Sequence, residues 1–168
     1  MRFKSIALSI FAFMLLFSSA VMADETAQSE NSEVALYVTL LGHGGVYSVG
    51  GEYLFLDRQL GFNINASYFK TTAEDSTFTL AMFPVFLSYY YGSSHRLYAD
   101  LGATLGYAEV SDSSVYMDAN GFGVMGLAGA GYNYNSPGSG FYFKIGPSVM
   151  VGKGGAMLWG GITFGYSF

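Results

Sequence analysis

His43 and Ser48 stand five residues apart in "GHGGVYS", the side-chain types of a general base and a hydroxyl nucleophile. A hydroxyl attacks only when a base within hydrogen-bond reach takes its proton and a third group orients that base. A tight hairpin would bring the first two together, but the sequence singles out no third group. The reading is therefore a turn or rim histidine and no catalytic residue. "GFGVMG" spells the dinucleotide fingerprint with Gly121, Gly123 and Gly126, but that chemistry needs a helix N-terminus after the glycines to hold a pyrophosphate. Here the surrounding residues alternate as in a strand. In "GPSVMVGKGG" five residues separate Gly146 from Gly152, where a phosphate loop has four, and Gly154 and Gly155 follow Lys153 where Ser or Thr should meet magnesium. Asp112 and Asp118 in "SDSSVYMDANG" read as solvated loop residues, His95 beside Arg96 as a turn residue. No spacing of His, Asp and Glu suggests a metal site, so no cofactor and no metal is expected.

Four charges fall on the polar faces of their strands: Glu52, Asp100, Lys144 and Arg96. The elements that carry them are extended. In "RLYADLGATLGY" Leu97, Ala99, Leu101, Ala103, Leu105 and Tyr107 alternate with Arg96, Tyr98, Asp100, Gly102, Thr104 and Gly106. Phe62, Ile64, Ala66 and Tyr68 likewise alternate with Gly61, Asn63, Asn65 and Ser67, and Phe141, Phe143 and Ile145 with Tyr142, Lys144 and Gly146. This period of two marks strands. Turn signals divide the chain into eight of them, at about 33–41, 46–56, 60–71, 78–91, 96–110, 122–134, 141–151 and 157–168. The connection 111–121 is the one long loop expected.

The second face decides the solvent. A water-washed sheet is usually rich in Lys and Glu, whereas this face is mostly Gly, Ser, Thr, Asn and Tyr, which suits the narrow interior of an eight-stranded barrel. The apolar face then needs lipid, and closure in lipid pairs every backbone N–H and C=O. The expected fold is all-β, an eight-stranded antiparallel transmembrane β-barrel, with Glu52, Asp100, Lys144 and, near a rim, Arg96 pointing inward. Buried ions persist when paired, so Lys144 should meet Glu52 or Asp100. Tyr53, Phe55, Tyr89, Tyr91, Tyr132, Tyr134, Phe141, Phe143, Tyr166 and Phe168 fall at one end of their strands, as an interfacial girdle would.

The flanks and composition agree. Arg2 and Lys4, the 12 apolar residues from Ile6 to Phe17 and the small-residue site ending at Ala23 read as a signal peptide over 1–23, the apolar run being short of the roughly 20 that span a bilayer as helix. A polar leader, 24–32, precedes the barrel at 33–168. The mature chain would keep five basic and twelve acidic side chains, net −7, which argues against nucleic acid as a partner. Charged residues make up 11%, aromatics 18% and hydrophobics 51%, with no cysteine. Staples, thiolate metal sites and a lipidated cysteine are excluded.

The closing "WGGITFGYSF" places Phe164, Tyr166 and Phe168 at alternate positions up to the terminus, and resembles the signal read by the bacterial outer-membrane barrel-insertion machinery. The chain as a whole resembles the small outer-membrane barrels of the OmpX-like and OmpA-like class. More narrowly, "LGHGGVYSVGGEYLF", "FPVFLSYYYGSSHRLYADLGATLGY" and "GYNYNSPGSGFYFKIGPSVMV" resemble an uncharacterised group of exported barrels of Bacteroidetes-type bacteria. The resemblance implies fold and a Gram-negative outer-membrane location, with membrane lipid and the insertion machinery as partners, and no assigned chemistry. The expected role is that of a monomeric structural or surface-interaction protein with a side-chain-filled lumen. A narrow passive pore for small solutes or ions, and a lipid-modifying enzyme using His43, are the alternatives.

Overall fold

The computed structural model describes residues 33–73, 76–112, 117–136 and 140–168; the expected signal peptide and leader lie outside them. Eight strands follow one another: β1 (Glu33–Leu41), β2 (Tyr47–Phe55), β3 (Leu60–Ala73), β4 (Ser76–Gly92), β5 (His95–Asp112), β6 (Met117–Asn135), β7 (Gly140–Gly152) and β8 (Gly155–Ser167). Each pairs antiparallel with the next, and β8 pairs with β1 to close the barrel. The chain-terminal residue Phe168 joins the seam through its own N–H, which donates to the Val34 carbonyl at 2.8 Å.

Register and height are linked. Following paired residues around the wall from Leu36 through Gly51, Ile64, Val85, Ala103, Gly126 and Val151 leads to Ala156. Leu36 itself pairs with Tyr166, ten residues further along β8. That offset is the stagger a tilted, closed sheet requires. One consequence is an uneven rim, because β1 and β2 have 9 residues each while β4, β5 and β6 have 17, 18 and 19. The expected long loop at 111–121 is thereby corrected: β5 runs to Asp112 and β6 begins at Met117, so most of that stretch is paired strand. Polar residues such as Ser111 and Asn120 mask the alternation there, since both faces of a sheet rising into water are hydrophilic.

The faces fall as the alternation predicts. Leu97, Leu101 and Leu105 are exposed on the outer surface, as are Phe62, Ile64, Leu158, Ile162 and Phe164, while Tyr98, Asp100, Thr104, Asn63 and Lys144 are buried inside. The aromatic girdle is in place at one end, with Tyr53 stacked near Phe55, Phe141 near Phe143 and Tyr166 edge-on to Phe168. A second aromatic row crosses the wall ten residues along β5 from Leu97. Tyr68 pairs with Ala81, Ala81 with Tyr107, and Tyr107 with Phe122; the last two rings lie 4.8 Å apart, and the Tyr47 hydroxyl donates to the Tyr68 carbonyl. The separation between the two rows matches the roughly 9 to 11 residues of a tilted membrane strand.

Candidate functional site

Everything chemical lies in the lumen, which is filled in layers. At the end nearer the first girdle, Leu54, Tyr90 and Tyr98 pack together. Arg96, expected near a rim, is instead 2% exposed. Its guanidinium donates to Asn133 Oδ1 at 2.8 Å and to the Arg58 carbonyl at 3.2 Å, and it lies 4.2 Å over the Tyr90 ring. The β2–β3 turn supplies that carbonyl, so a charge that alternation could place only on the inner face is drawn under the turn.

Above it sit the remaining ions. Lys144 donates to Asp100 Oδ1 at 2.9 Å and to Ser88 Oγ at 3.1 Å, and Ser88 donates to the same Asp100 oxygen at 2.6 Å. Of the two carboxylates considered for Lys144, Asp100 takes the direct contact. Glu52 is solvated by neutral donors: the Tyr90 hydroxyl at 2.6 Å, the Tyr142 hydroxyl at 2.9 Å and the Asn63 amide at 2.9 Å. Three donors satisfy the buried carboxylate oxygens without a cation in contact. Gly61 makes the room, because a Cβ there would strike the Glu52 carboxyl. Asn63 comes from the neighbouring β3, directly paired with Glu52, while the tyrosines come from β4 and β7 across the lumen.

The third layer is the first hairpin. The structure corrects the rim position expected for His43: the β1–β2 turn folds into the mouth. Gly42, with φ +90°, would meet Gly161 Cα at 3.1 Å if it carried a Cβ. A side-chain-bearing residue would be strained by that φ as well. The His43 ring stacks on Phe86 at 4.6 Å between centroids, and its Nε2 lies 3.5 Å from Asp100 Oδ2. Burial pushes the imidazole down to about 4, against the pull of the Asp100 carboxylate, so His43 is neutral at pH 7. The unfolded chain, with histidine near its ordinary value of about 6.5, binds that proton first. Stability should therefore be full above about pH 6.5 and fall between about 6.5 and about 4. His43→Phe, which keeps the stack on Phe86, should remove this acid limb in urea titrations; an unchanged limb would place the titrating group elsewhere.

The fourth layer departs from the expected inner face. Met82, Phe86, Leu127 and Met150 form a buried apolar cluster with Leu80, Met125 and Trp159 packed against it. It closes the lumen beside the hairpin, where small polar side chains were expected. Single methionines among glycines carry little sequence signal, and an unbranched thioether fills such gaps readily.

Asp100 lies 3.5 Å from His43 Nε2, but the two atoms form no hydrogen bond, so the orienting contact a triad needs is not made. Buried serines are also present, Ser48 and Ser148, whose Oγ atoms have no hydrogen-bond partner among the described residues. A cavity in the lumen is lined by Tyr37, Thr39, His43, Asn65, Lys144 and Ser148 among others. Gly121, Gly123 and Gly126 lie within β6, and Gly146 to Gly152 within β7, where a phosphate would meet strand and not a helix N-terminus. Among the described residues no group of three His, Asp or Glu could hold a metal ion. Phe164, Tyr166 and Phe168 are exposed along the outer face of the closing seam.

No protein-family model and no curated protein sequence matches the chain. Solved structures do. The N-terminal β-barrel domain of Pseudomonas aeruginosa OprF superposes with TM-score 0.60 at 15% identity, covering 82% of this chain and 96% of that one. Ail, the attachment invasion locus protein of Yersinia pestis, gives 0.53 at 16% identity over 82% and 97%. Neisserial surface protein A gives 0.53 at 13% over 81% and 92%. The fold is that of the small eight-stranded outer-membrane barrels. At these identities the likeness is one of fold alone, and lumen contents differ freely among barrels that share a wall.

Proposed function

We propose that this protein is a multi-pass barrel of the bacterial outer membrane with a structural or surface-interaction role, and that it is neither an enzyme nor an open pore. The observation that carries the reading is the lumen filled by side chains: Arg96 and the tyrosines, the Glu52 and Asp100–Lys144 centres, the inward hairpin and the apolar cluster all occupy it. The outward apolar band between two aromatic rows supports lipid as its solvent, and the acidic balance supports the absence of nucleic acid partners. On this reading the chain is a monomer exported by a signal peptide removed near Ala23. The insertion machinery takes it up through Phe164, Tyr166 and Phe168, and its source is a Gram-negative cell of the Bacteroidetes type.

The test is conductance. Purified protein in planar bilayers should give no sustained current above the bare bilayer, while the same preparation migrates differently heated and unheated on gels and fractionates with the outer membrane. A steady single-channel current from the wild type would replace this reading with the pore alternative. Turnover of lipopolysaccharide lost in His43→Ala would replace it with the enzyme.

A further inference from the structure

Side chains do not take up the whole lumen. A cavity remains at the first hairpin, bounded by Gly42 and His43, by Thr39 and Thr163 on the seam of β1 with β8, and by groups from β3, β4, β5 and β7. It offers about 20 Å³ to the centre of a water-sized sphere, where one water needs about 10 to 15 Å³. That room suits one water molecule or one monatomic ion and is too small for a sugar or an acyl chain. Gly146 keeps it open on the β7 side, since a Cβ there would lie 2.6 Å from the Tyr98 hydroxyl.

The lining decides between water and ion. Thr39 and Thr163 share one hydrogen bond, Oγ1 to Oγ1 at 2.8 Å; one hydroxyl donates to the other, so the pair keeps one proton to donate and lone pairs to accept. Ser148 Oγ and Asn65 Oδ1 are buried and have no partner among the described residues, a state that forfeits the full solvation of each group. Lys144 is the one charged side chain among the described residues of the lining, His43 being neutral at pH 7. Its three ammonium protons already go to Asp100 Oδ1, Ser88 Oγ and the Tyr90 hydroxyl. A cation in the cavity would face that ammonium with no carboxylate in the lining. An anion would face the Asn65 carbonyl oxygen and find no ammonium proton to spare. An apolar atom would leave the hydroxyls unmet. A water molecule is neutral, donates and accepts. We propose that the cavity is a binding site for one structural water, which bridges the Thr39–Thr163 pair of the closing seam to the Tyr98 hydroxyl and to Ser148 across the lumen. Buried waters of this kind make about three hydrogen bonds and are costly to remove. The bridge gives the seam of β1 with β8 a polar tie inside the barrel, beside the ladder that closes it. The inference deepens the filled-lumen reading and rests on it; conductance tests that reading separately.

The experiment uses crystals of the refolded full barrel that diffract finely enough to show ordered solvent, in four states: untreated, pressurised with xenon, grown with bromide in place of chloride, and soaked in rubidium. The untreated crystal should show one peak in the cavity at about 3 Å from the Tyr98 hydroxyl and from one of the two threonine hydroxyls. None of the three heavy atoms should give an anomalous signal there. Thr39→Val combined with Thr163→Val keeps the shape of the pair and removes its hydroxyls. In that variant the peak should disappear and xenon should enter, as it does in apolar cavities, while unheated gel mobility stays that of the folded barrel. A xenon signal in the wild type would show a dry cavity, a bromide or rubidium signal an ion site, and no peak in any state a cavity that closes up; each overturns the proposal. So would a peak that survives the double variant unchanged. If that variant fails to fold, the four wild-type states decide by themselves.

Discussion

Lys144→Met should destabilise the barrel by about 3 to 5 kcal/mol, the cost of leaving a buried charge without its partner. Asp100, fully buried, would keep only the Ser88 hydroxyl as hydrogen-bond donor, at 2.6 Å. Urea unfolding in phospholipid vesicles, read from the mobility of unheated samples, gives the number. Lys144→Met combined with Asp100→Asn should recover most of the loss, since a neutral pair has no stranded charge and residues in contact are not additive. A loss below about 1 kcal/mol in the single variant would mean that water solvates the pair at surface values, and the side-chain-filled lumen would be refuted with it. Glu52 is the useful contrast. Its donors are two tyrosine hydroxyls and an amide, so Lys144→Met should leave its surroundings intact.

Leu101→Arg should cost about 2 to 4 kcal/mol, as cations do at the bilayer midplane on a lipid-facing wall. Leu101 is 72% exposed on the outer face, and along β5 it lies between Leu97, beside the first girdle, and Tyr107 in the second row. In a soluble barrel the same change at so exposed a position would be nearly neutral. The lumen-facing control must be chosen by register. Alternation alone makes Gly102 a mild site for serine, but a Cβ there would run into the Val85 carbonyl and the Phe86 backbone. Gly102→Ser should therefore also be costly, through steric overlap. Gly106 is the proper control, because its nearest neighbour to a new Cβ is the flexible end of Met125 at 3.6 Å. Equal tolerance of Leu101→Arg and Gly106→Ser in refolding yields would reverse the assignment of faces.

Gly102 and Gly106 show where a linear reading stops. Both are glycines on the inner face of one strand, four residues apart, and alternation treats them alike. What separates them is the side chain brought opposite by register: Gly102 pairs with Phe86, Gly106 with Met82. The same holds for charge. Alternation puts Lys144 and both carboxylates on the inner face, and chemistry requires a partner. The choice of Asp100 over Glu52 depends on which strands the stagger sets across the lumen. His43 escapes the sequence for a further reason. Turn residues carry no period, so nothing in "GHGG" says whether a hairpin stands up into water or folds over into the mouth. The space left by Gly161, Gly129 and the methionines decides that.

Strand number, strand order and the outward direction of Leu101, Phe62 or Ile162 follow from the sequence, because a side-chain period of two and hydrophobic transfer are local properties that each segment expresses by itself. The contents of the lumen, the inward hairpin and the solvation of Glu52 by neutral donors belong to the closed structure. Each depends on distances between residues far apart in the chain. Those distances are fixed only when the eighth strand meets the first at one particular stagger.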